Sequence, residues 1–303
     1  MARVDVSLTD SRQVDLASYK GTLDFTPENG YVIQNFVPGF PDVRDNVDKR
    51  PQFNGTNDRT AFFGAKAVLL NVSLASELIP QGSIRYGMTD YDLEVEVRGW
   101  MLPELRPLMR WRRNGSQLLR MKLRAANVGS AIDLTRNRFH TLALAWRAPE
   151  GINESDELFA ETVLPGTTGT ESGRTYNLTF DRTYPASTVV GLKIVINEGT
   201  APACPMITFF GPMTQIRIEN VTTGKKLEFI AGYTLTSGEY LVVDCMERTV
   251  LLNGEVGNSR YDKIDFSVSE WLELIPGINQ LRLYPGSSSS PASALVEYRS
   301  AYL

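Results

Sequence analysis

At 303 residues, 42% hydrophobic and 22% charged, the chain has an ordinary globular composition with room for about two domains. A formal net charge of -4 excludes a whole-surface polyanion binder, because phosphate recognition needs a surplus of Lys and Arg, so no sequence-specific nucleic-acid binding is expected. No stretch reaches the ~20 consecutive apolar residues of a membrane span, and MARVDVSLTD lacks the apolar region of a signal peptide. The chain is therefore expected to be soluble, without a membrane anchor and made in the cytosol.

In chain order, the first feature is the irregular stretch from Asn35 to Thr60, which has little apolar content and no period. Loops of that length are usually functional or disordered, so it is either a mobile surface loop or an arm that orders against a neighbouring subunit. Val68, Leu70, Val72 and Leu74 then alternate with other residues, as a half-buried strand requires. The same period places strands on YDLEVEVRGW (Tyr91, Leu93, Val95, Val97), on LLRMKLRA (Leu119, Met121, Leu123) and on HTLALAWRAP (Leu142, Leu144, Trp146). MLPELRPLMRWRR is the helix candidate: Pro103 suits a first turn, Leu105, Leu108, Met109 and Arg112 follow at spacings of three and four, and Pro107 shortens or bends it.

Pro149, Glu150 and Gly151 end this run, which predicts two β-rich domains, 1–150 and 151–303. In the second, strands are predicted at Tyr176–Phe180, Val189–Ile196, Gln215–Glu219, Leu227–Ile230, Tyr240–Asp244, Thr249–Leu252, Asp262–Val268, Gln280–Leu283 and Ala294–Tyr298. Many short strands parted by turn formers indicate an antiparallel sandwich or jelly roll. Gly224, Gly238 and the pair Asn253–Gly254 stand where hairpins need positive φ. Trp271, ahead of Pro276 and Gly277, reads as part of a closing hairpin that returns Ile278, Leu281 and Leu283 to the core.

Catalytic chemistry is not expected, and neither is a cofactor or a metal. The one histidine, His140, has no nucleophile elbow to pair with. Asp262 with Asp265, or Glu270 with Glu273, could be imagined as a glycosidase couple, but solvated strand edges account for them. Asp42, Asp45 and Asp48 lack the glycine and closing glutamate of a calcium loop. Cys204 and Cys245 are too few for a disulfide framework and read as packed or surface thiols. One charge feature remains: from Leu105 to Ile132 there is no acid, while Arg106, Arg110, Arg112, Arg113, Arg120, Lys122 and Arg124 fall in that span. It is either a solvated basic face or a contact for an acidic protein surface or nucleic acid, and the overall acidity favours the protein.

A resemblance adds what periodicity does not. The succession Gly211, Pro212; Asn220, Thr223, Gly224; GEYLVVD at Gly238–Asp244; and Trp271, Leu274, Pro276, Gly277, Asn279, ending with Tyr298 and Tyr302, resembles the galectin-like C-terminal domain of bacteriophage distal tail proteins. GAKAVLLNVSL, LRPLMRWRRNG and LALAWRAPEG are similar, more loosely, to their N-terminal ring-forming domain. The resemblance implies a mainly β chain of two sandwich domains, the second galectin-like, with a short helix in the first. It also implies a virion protein at the distal end of a siphophage tail, a homo-oligomeric and commonly hexameric ring joining the tail tube protein to the tip or hub protein, with receptor-binding or baseplate proteins nearby. On that reading Arg106, Arg110, Arg112 and Arg113 would pair with acids of an adjacent subunit or tube protein. The alternative is a lectin-like module that holds a host saccharide, with Trp271 and Tyr284 as the aromatic candidates.

Overall fold

The computed structural model describes residues 14–18, 20–44, 48–49, 56–57, 62–102, 104–113, 117–132, 140–165, 191–285 and 292–303. The predicted strand Tyr176–Phe180 lies outside them, as do Asp45 and the side chain of Arg113. Two units divide at Glu157/Leu158, and Tyr302 and Leu303 belong to the first. The strands of residues 14–155 are β1 (Val14–Ser18), β2 (Gly21–Phe25), β3 (Tyr31–Val37), β4 (Val43–Arg44), β5 (Asp48–Lys49), β6 (Thr56–Asn57), β7 (Phe62–Phe63), β8 (Lys66–Leu74), β9 (Leu108–Arg113), β10 (Gln117–Lys122), β11 (Arg124–Ile132), β12 (His140–Ala148) and β13 (Asn153–Ser155), with helix α1 (Asp90–Trp100) between β8 and β9. Those that follow are β14 (Phe159–Val163), β15 (Leu192–Asn197), β16 (Met206–Phe210), β17 (Met213–Thr214), β18 (Ile216–Asn220), β19 (Lys225–Glu228), β20 (Thr234–Leu235), β21 (Tyr240–Asp244), β22 (Thr249–Leu252), β23 (Gly277–Pro285), β24 (Ser293–Tyr298) and β25 (Ala301–Tyr302). The chain is mainly β, as its periodicity predicts.

Unit 1 is a sandwich of one sheet ordered β2-β1-β9-β10-β13-β25 and another ordered β11-β12-β8-β3. Its core follows from alternation: Val68, Leu70, Val72 and Leu74 of β8 and Leu142, Leu144 and Trp146 of β12 are all buried. They pack with Val14, Leu16, Leu23, Phe25, Met109 and Trp111 from the other sheet, and Tyr302 joins the same core.

Two expectations fail here, in complementary ways. Residues 90–100, predicted as a strand, form α1. Thr89 caps it: the Thr89 hydroxyl accepts from the Asp92 amide at 3.3 Å while Asp92 accepts from the Thr89 amide at 2.8 Å. Leu93, Val97 and Trp100, spaced by four and three, are buried, whereas Tyr91 and Val95, which complete the alternating pattern, are 70% and 50% exposed. The predicted helix is instead a turn leading into β9. Pro107 removes an amide that a helix would use, and Met109 and Trp111 alternate inward with β9 paired to both β1 and β10. Within the 35–60 stretch, Asn35–Val37 end β3, β4 pairs with β7 and β5 pairs with β6, while residues 45–47, 50–55 and 58–60 lie outside the described residues.

Unit 2 packs β14-β24-β16-β21-β22 against β15-β23-β18-β19, with a small β17-β20 pair. Ile207, Phe209, Leu241, Val243, Val250 and Val296 from one sheet and Val195, Ile216, Ile218, Leu227, Leu281 and Leu283 from the other are buried. Residues 262–268, predicted as a strand, form a short 3-10 turn at Tyr261–Lys263 and a loop, because Asp265 folds its carboxylate back onto the Ser267 amide at 3.0 Å. Leu281 and Leu283 return to the core as expected, but Ile278 is 59% exposed, since Asn279 takes the inward position beside it. Trp271 lies in the loop before β23, half-buried, not on a strand end.

Candidate functional site

Strand pairing distributes the basic span more than its sequence suggests. Arg110 donates from Nε and Nη2 to both oxygens of Asp15, at 2.9 and 3.1 Å, across the β1–β9 pair. Arg120 meets Glu154 at 2.9 Å and Lys122 meets Glu150 at 3.1 Å. The acid-free run is thus answered by carboxylates from β1 and from the chain around β13. Arg106 is exposed, and Arg112 is half-buried on the outward side of β9. Arg124 stands exposed opposite Arg147, also exposed, across β11 and β12.

Residues that sequence reasoning missed surround α1. Arg85, in the loop before the helix, pairs with Glu96 at 2.6 Å, and Glu96 also accepts from the Tyr31 hydroxyl at 2.8 Å. Burial, reinforced by Glu96, pushes the Tyr31 hydroxyl far above its ordinary range, so it stays protonated and can donate to Glu96. Glu94 pairs with Arg98 at 2.6 Å and lies 3.0 Å from His140 Nε2. His140 thus faces this pair from β12, near Glu94 but with no hydrogen bond made by Nε2. Lys66 is the other missed residue: it is 2% exposed, donates to Asn153 Oδ1, and burial lowers its pKa from 10.5 to about 8. Its position just before an alternating apolar run, on the inward parity, is the signal that could have flagged it.

The motif residues of unit 2 sit in its loops and hold them. Asn279, 0% exposed, accepts from the Ile275 amide at 3.0 Å and from Asn220 Nδ2 at 3.0 Å, and donates to Ile275 O and Gly277 O at 2.8 and 3.1 Å. Asn220 in turn donates to Glu273 O at 2.9 Å, and Asn197 donates to Ala201 O and Leu274 O at 2.8 and 2.9 Å. Three buried amides thereby bind residues 273–279, including Pro276 and Gly277, to strands β15, β18 and β23. Such loops cannot use a ladder, so side-chain amides take its place. Asp244 Oδ1 accepts from the Met246 and Glu247 amides at 2.8 and 2.9 Å, turning the chain between β21 and β22. Gly224 and Gly238 adopt φ of 75° and 88° in the hairpins where positive φ was expected. Gly211, joined to Pro212 by a cis bond, lies so close to Thr236 O that no side chain fits.

Carboxylates considered as a glycosidase couple are engaged locally. Asp262 pairs with Lys263 at 2.6 Å, Glu273 with Lys225 at 2.7 Å, and Asp265 holds Ser267. Cys245 is buried, which raises its thiol pKa, and Cys204 is half-buried. Trp271 packs 6.1 Å from Tyr261, itself 5.1 Å from Phe266, and Tyr261 and Phe266 are 44% and 50% exposed. Tyr284 lies between the guanidinium groups of Arg217 and Arg282, at 4.4 and 4.9 Å.

In unit 2 these side chains hold irregular backbone in place. In fold, the chain is similar to the SPP1 Dit protein, described as a paradigm of the hub adsorption apparatus in phages that infect Gram-positive bacteria. The likeness covers 97% of this chain and 100% of that one, with a TM-score of 0.60 and 12% identity. A chain of the phage P2 baseplate in its activated conformation with Ca is a looser likeness, with a TM-score of 0.44 and 11% identity over 94% of this chain and 97% of that one. No curated protein matches the sequence. Residues 198–302 match the family model described as siphovirus-type tail component, C-terminal domain. Residues 198–302 thus carry the C-terminal domain of a siphovirus-type tail component.

Proposed function

We propose that this protein is a structural part of the virion, a ring of six copies at the distal end of the tail that joins the tail tube to the tip or baseplate. The observation that carries this reading is the family match of residues 198–302, accompanied by a fold shared with SPP1 Dit over 97% of the chain. A ring needs a head-to-tail contact whose rotation divides a full turn. Its partners would be further copies, the tube protein above, and hub, receptor-binding or baseplate proteins below, met after synthesis in the host cytoplasm. The protein works by holding surfaces together, without enzymatic chemistry. Within the basic span, Arg106 is the exposed candidate for an acidic neighbour, and Arg112 and Arg113 follow it on β9. Arg110 would have to share its guanidinium between Asp15 and a partner.

Electron microscopy of the purified protein, alone and with tube and tip proteins, tests the reading. Rings around a central channel are expected; isolated molecules under both conditions would end it. Charge reversal at Arg106 and Arg112 together is expected to weaken ring formation, measured by light scattering. The exposed rings of Tyr261 and Phe266 beside Trp271 favour a second reading, a saccharide platform on the galectin-like unit. Glycan-array binding that is lost in Phe266→Ala would support it.

A further inference from the structure

Unit 1 exposes two apolar surfaces of different make. The first is the loop at residues 80–88 with the outer side of α1. Successive turns tighten this loop, from the Ser83 amide to Pro80 O at 3.1 Å, from Tyr86 to Ser83 O at 3.0 Å and from Met88 to Arg85 O at 3.0 Å. Arg85 pins it from within, paired to Glu96 at 2.6 Å and set over the Tyr31 ring at 5.7 Å from its centroid. With Arg85 turned inward, its neighbours Ile84 and Tyr86 stand in solvent, 103% and 57% exposed, on the element leading to Tyr91 and Val95. Glu77 and Asp92 give this surface exposed acids. A loop held rigidly so as to expose an isoleucine completely is a hydrophobic anchor without its socket, since ordering costs little more on binding.

The second surface is the outer face of the β3-β8-β12-β11 sheet. Val37 lies directly opposite Leu69, at 41% and 47% exposure, and Phe40, just beyond β3, is 83% exposed. One row along, Ala67 faces Arg147, which faces Arg124, both arginines being exposed. The core lies between the two surfaces: Leu93, Val97 and Trp100 enter it from α1, and Val68, Leu70 and Val72 enter it from the inner side of this sheet. One surface is a loop and helix side, apolar and edged by acids; the other is a sheet face, apolar and edged by arginines.

We propose that the 80–88 loop and outer α1 of one copy dock on the Val37–Leu69 face of the next copy, with Glu77 turned toward Arg124 and Arg147. The contact rests on the ring reading and says which surfaces make the joint. Two unlike, charge-complementary patches facing away from a common core form a heterologous contact, which propagates in one direction until it closes, whereas a two-fold contact would need one patch matched to itself. A stable joint needs roughly 800 Å² from each partner, more than any one of these side chains supplies, so loop, helix and sheet face act together.

Full-length wild type, Ile84→Asp and Leu69→Glu are compared by native mass spectrometry and light scattering, with circular dichroism to confirm folding. Arg147→Glu serves as a second sheet-face variant if Leu69→Glu is unstable. Each single variant is expected to raise the concentration for half-assembly by about tenfold or more. Mixed together, Ile84→Asp and Leu69→Glu chains retain one intact joint between them, so heterodimers are expected where neither variant alone associates. Wild-type rings with unimpaired rings in both variants would overturn the joint and leave the ring reading standing. Loss of assembly in both variants with no heterodimers on mixing would overturn the head-to-tail pairing of these two surfaces. Wild type that stays monomeric, alone and with tube and tip proteins, would overturn the ring reading together with the joint.

Discussion

The two units solve the same problem, how to bury polar groups under irregular backbone, with different chemistry. Unit 2 uses neutral amides: Asn197, Asn220 and Asn279 are 0% exposed and bind loop carbonyls and amides directly. Unit 1 uses charge: Lys66 under Asn153, Asp15 under Arg110, Glu94 between Arg98 and His140, and Glu96 between Arg85 and Tyr31. Neutral amides cost less to desolvate and do not titrate, whereas buried charges must be matched by a partner. In unit 1 burial also lowers the Lys66 pKa, a pH-dependent contribution that the amide lattice of unit 2 does not make.

The sharpest way to break this contrast is Asn279→Ala. It removes the partner of the Ile275 amide and of the Ile275 and Gly277 carbonyls, and leaves the Asn220 amide only its bond to Glu273 O. A loss of about 3 kcal/mol or more in unit 2 is expected in denaturant unfolding, with faster hydrogen exchange over residues 273–281. A loss under about 1 kcal/mol would mean the lattice does not hold the loop. Next comes Lys66. Its folded pKa of about 8 lies below its ordinary 10.5, so below pH 8 both folded and unfolded chains are protonated and the burial cost is fully present. Between these values the folded chain binds fewer protons, so stability rises with pH, by ~3 kcal/mol from this group when complete. Wild type should thus gain on Lys66→Met at alkaline pH and trail it at neutral pH, read from unfolding curves of both at each pH. The smallest effect is Thr89→Ala, which removes the α1 cap for about 1 kcal/mol, measured by the same unfolding, with local exchange increased at residues 89–93.

What was legible in the sequence was whatever one sheet face dictates alone. The strands at 66–74, 117–122, 140–148, 240–244 and 249–252 alternate cleanly because one side is core and the other solvent. The α1 stretch misled because Val95 and Val97, β-branched and interleaved with Glu94 and Glu96, imitate a strand; the cap at Thr89 and Asp92, three residues apart, was the local signal that outweighs them. The internal partners of the basic span were hidden for another reason. Arg110 and Asp15 are 95 residues apart, and only the register of β1 on β9 brings them together. The motif residues of unit 2 were legible through resemblance, but their work was not: Asn279 matters through the carbonyls around it, and no spacing encodes those.

Tyr302 belongs to the first unit although the whole second unit precedes it in the chain. A ribosome must therefore read through every residue of the second unit before the side chain that fills the last of that earlier core can arrive. Half-synthesised copies therefore present the first unit without that side chain in its core.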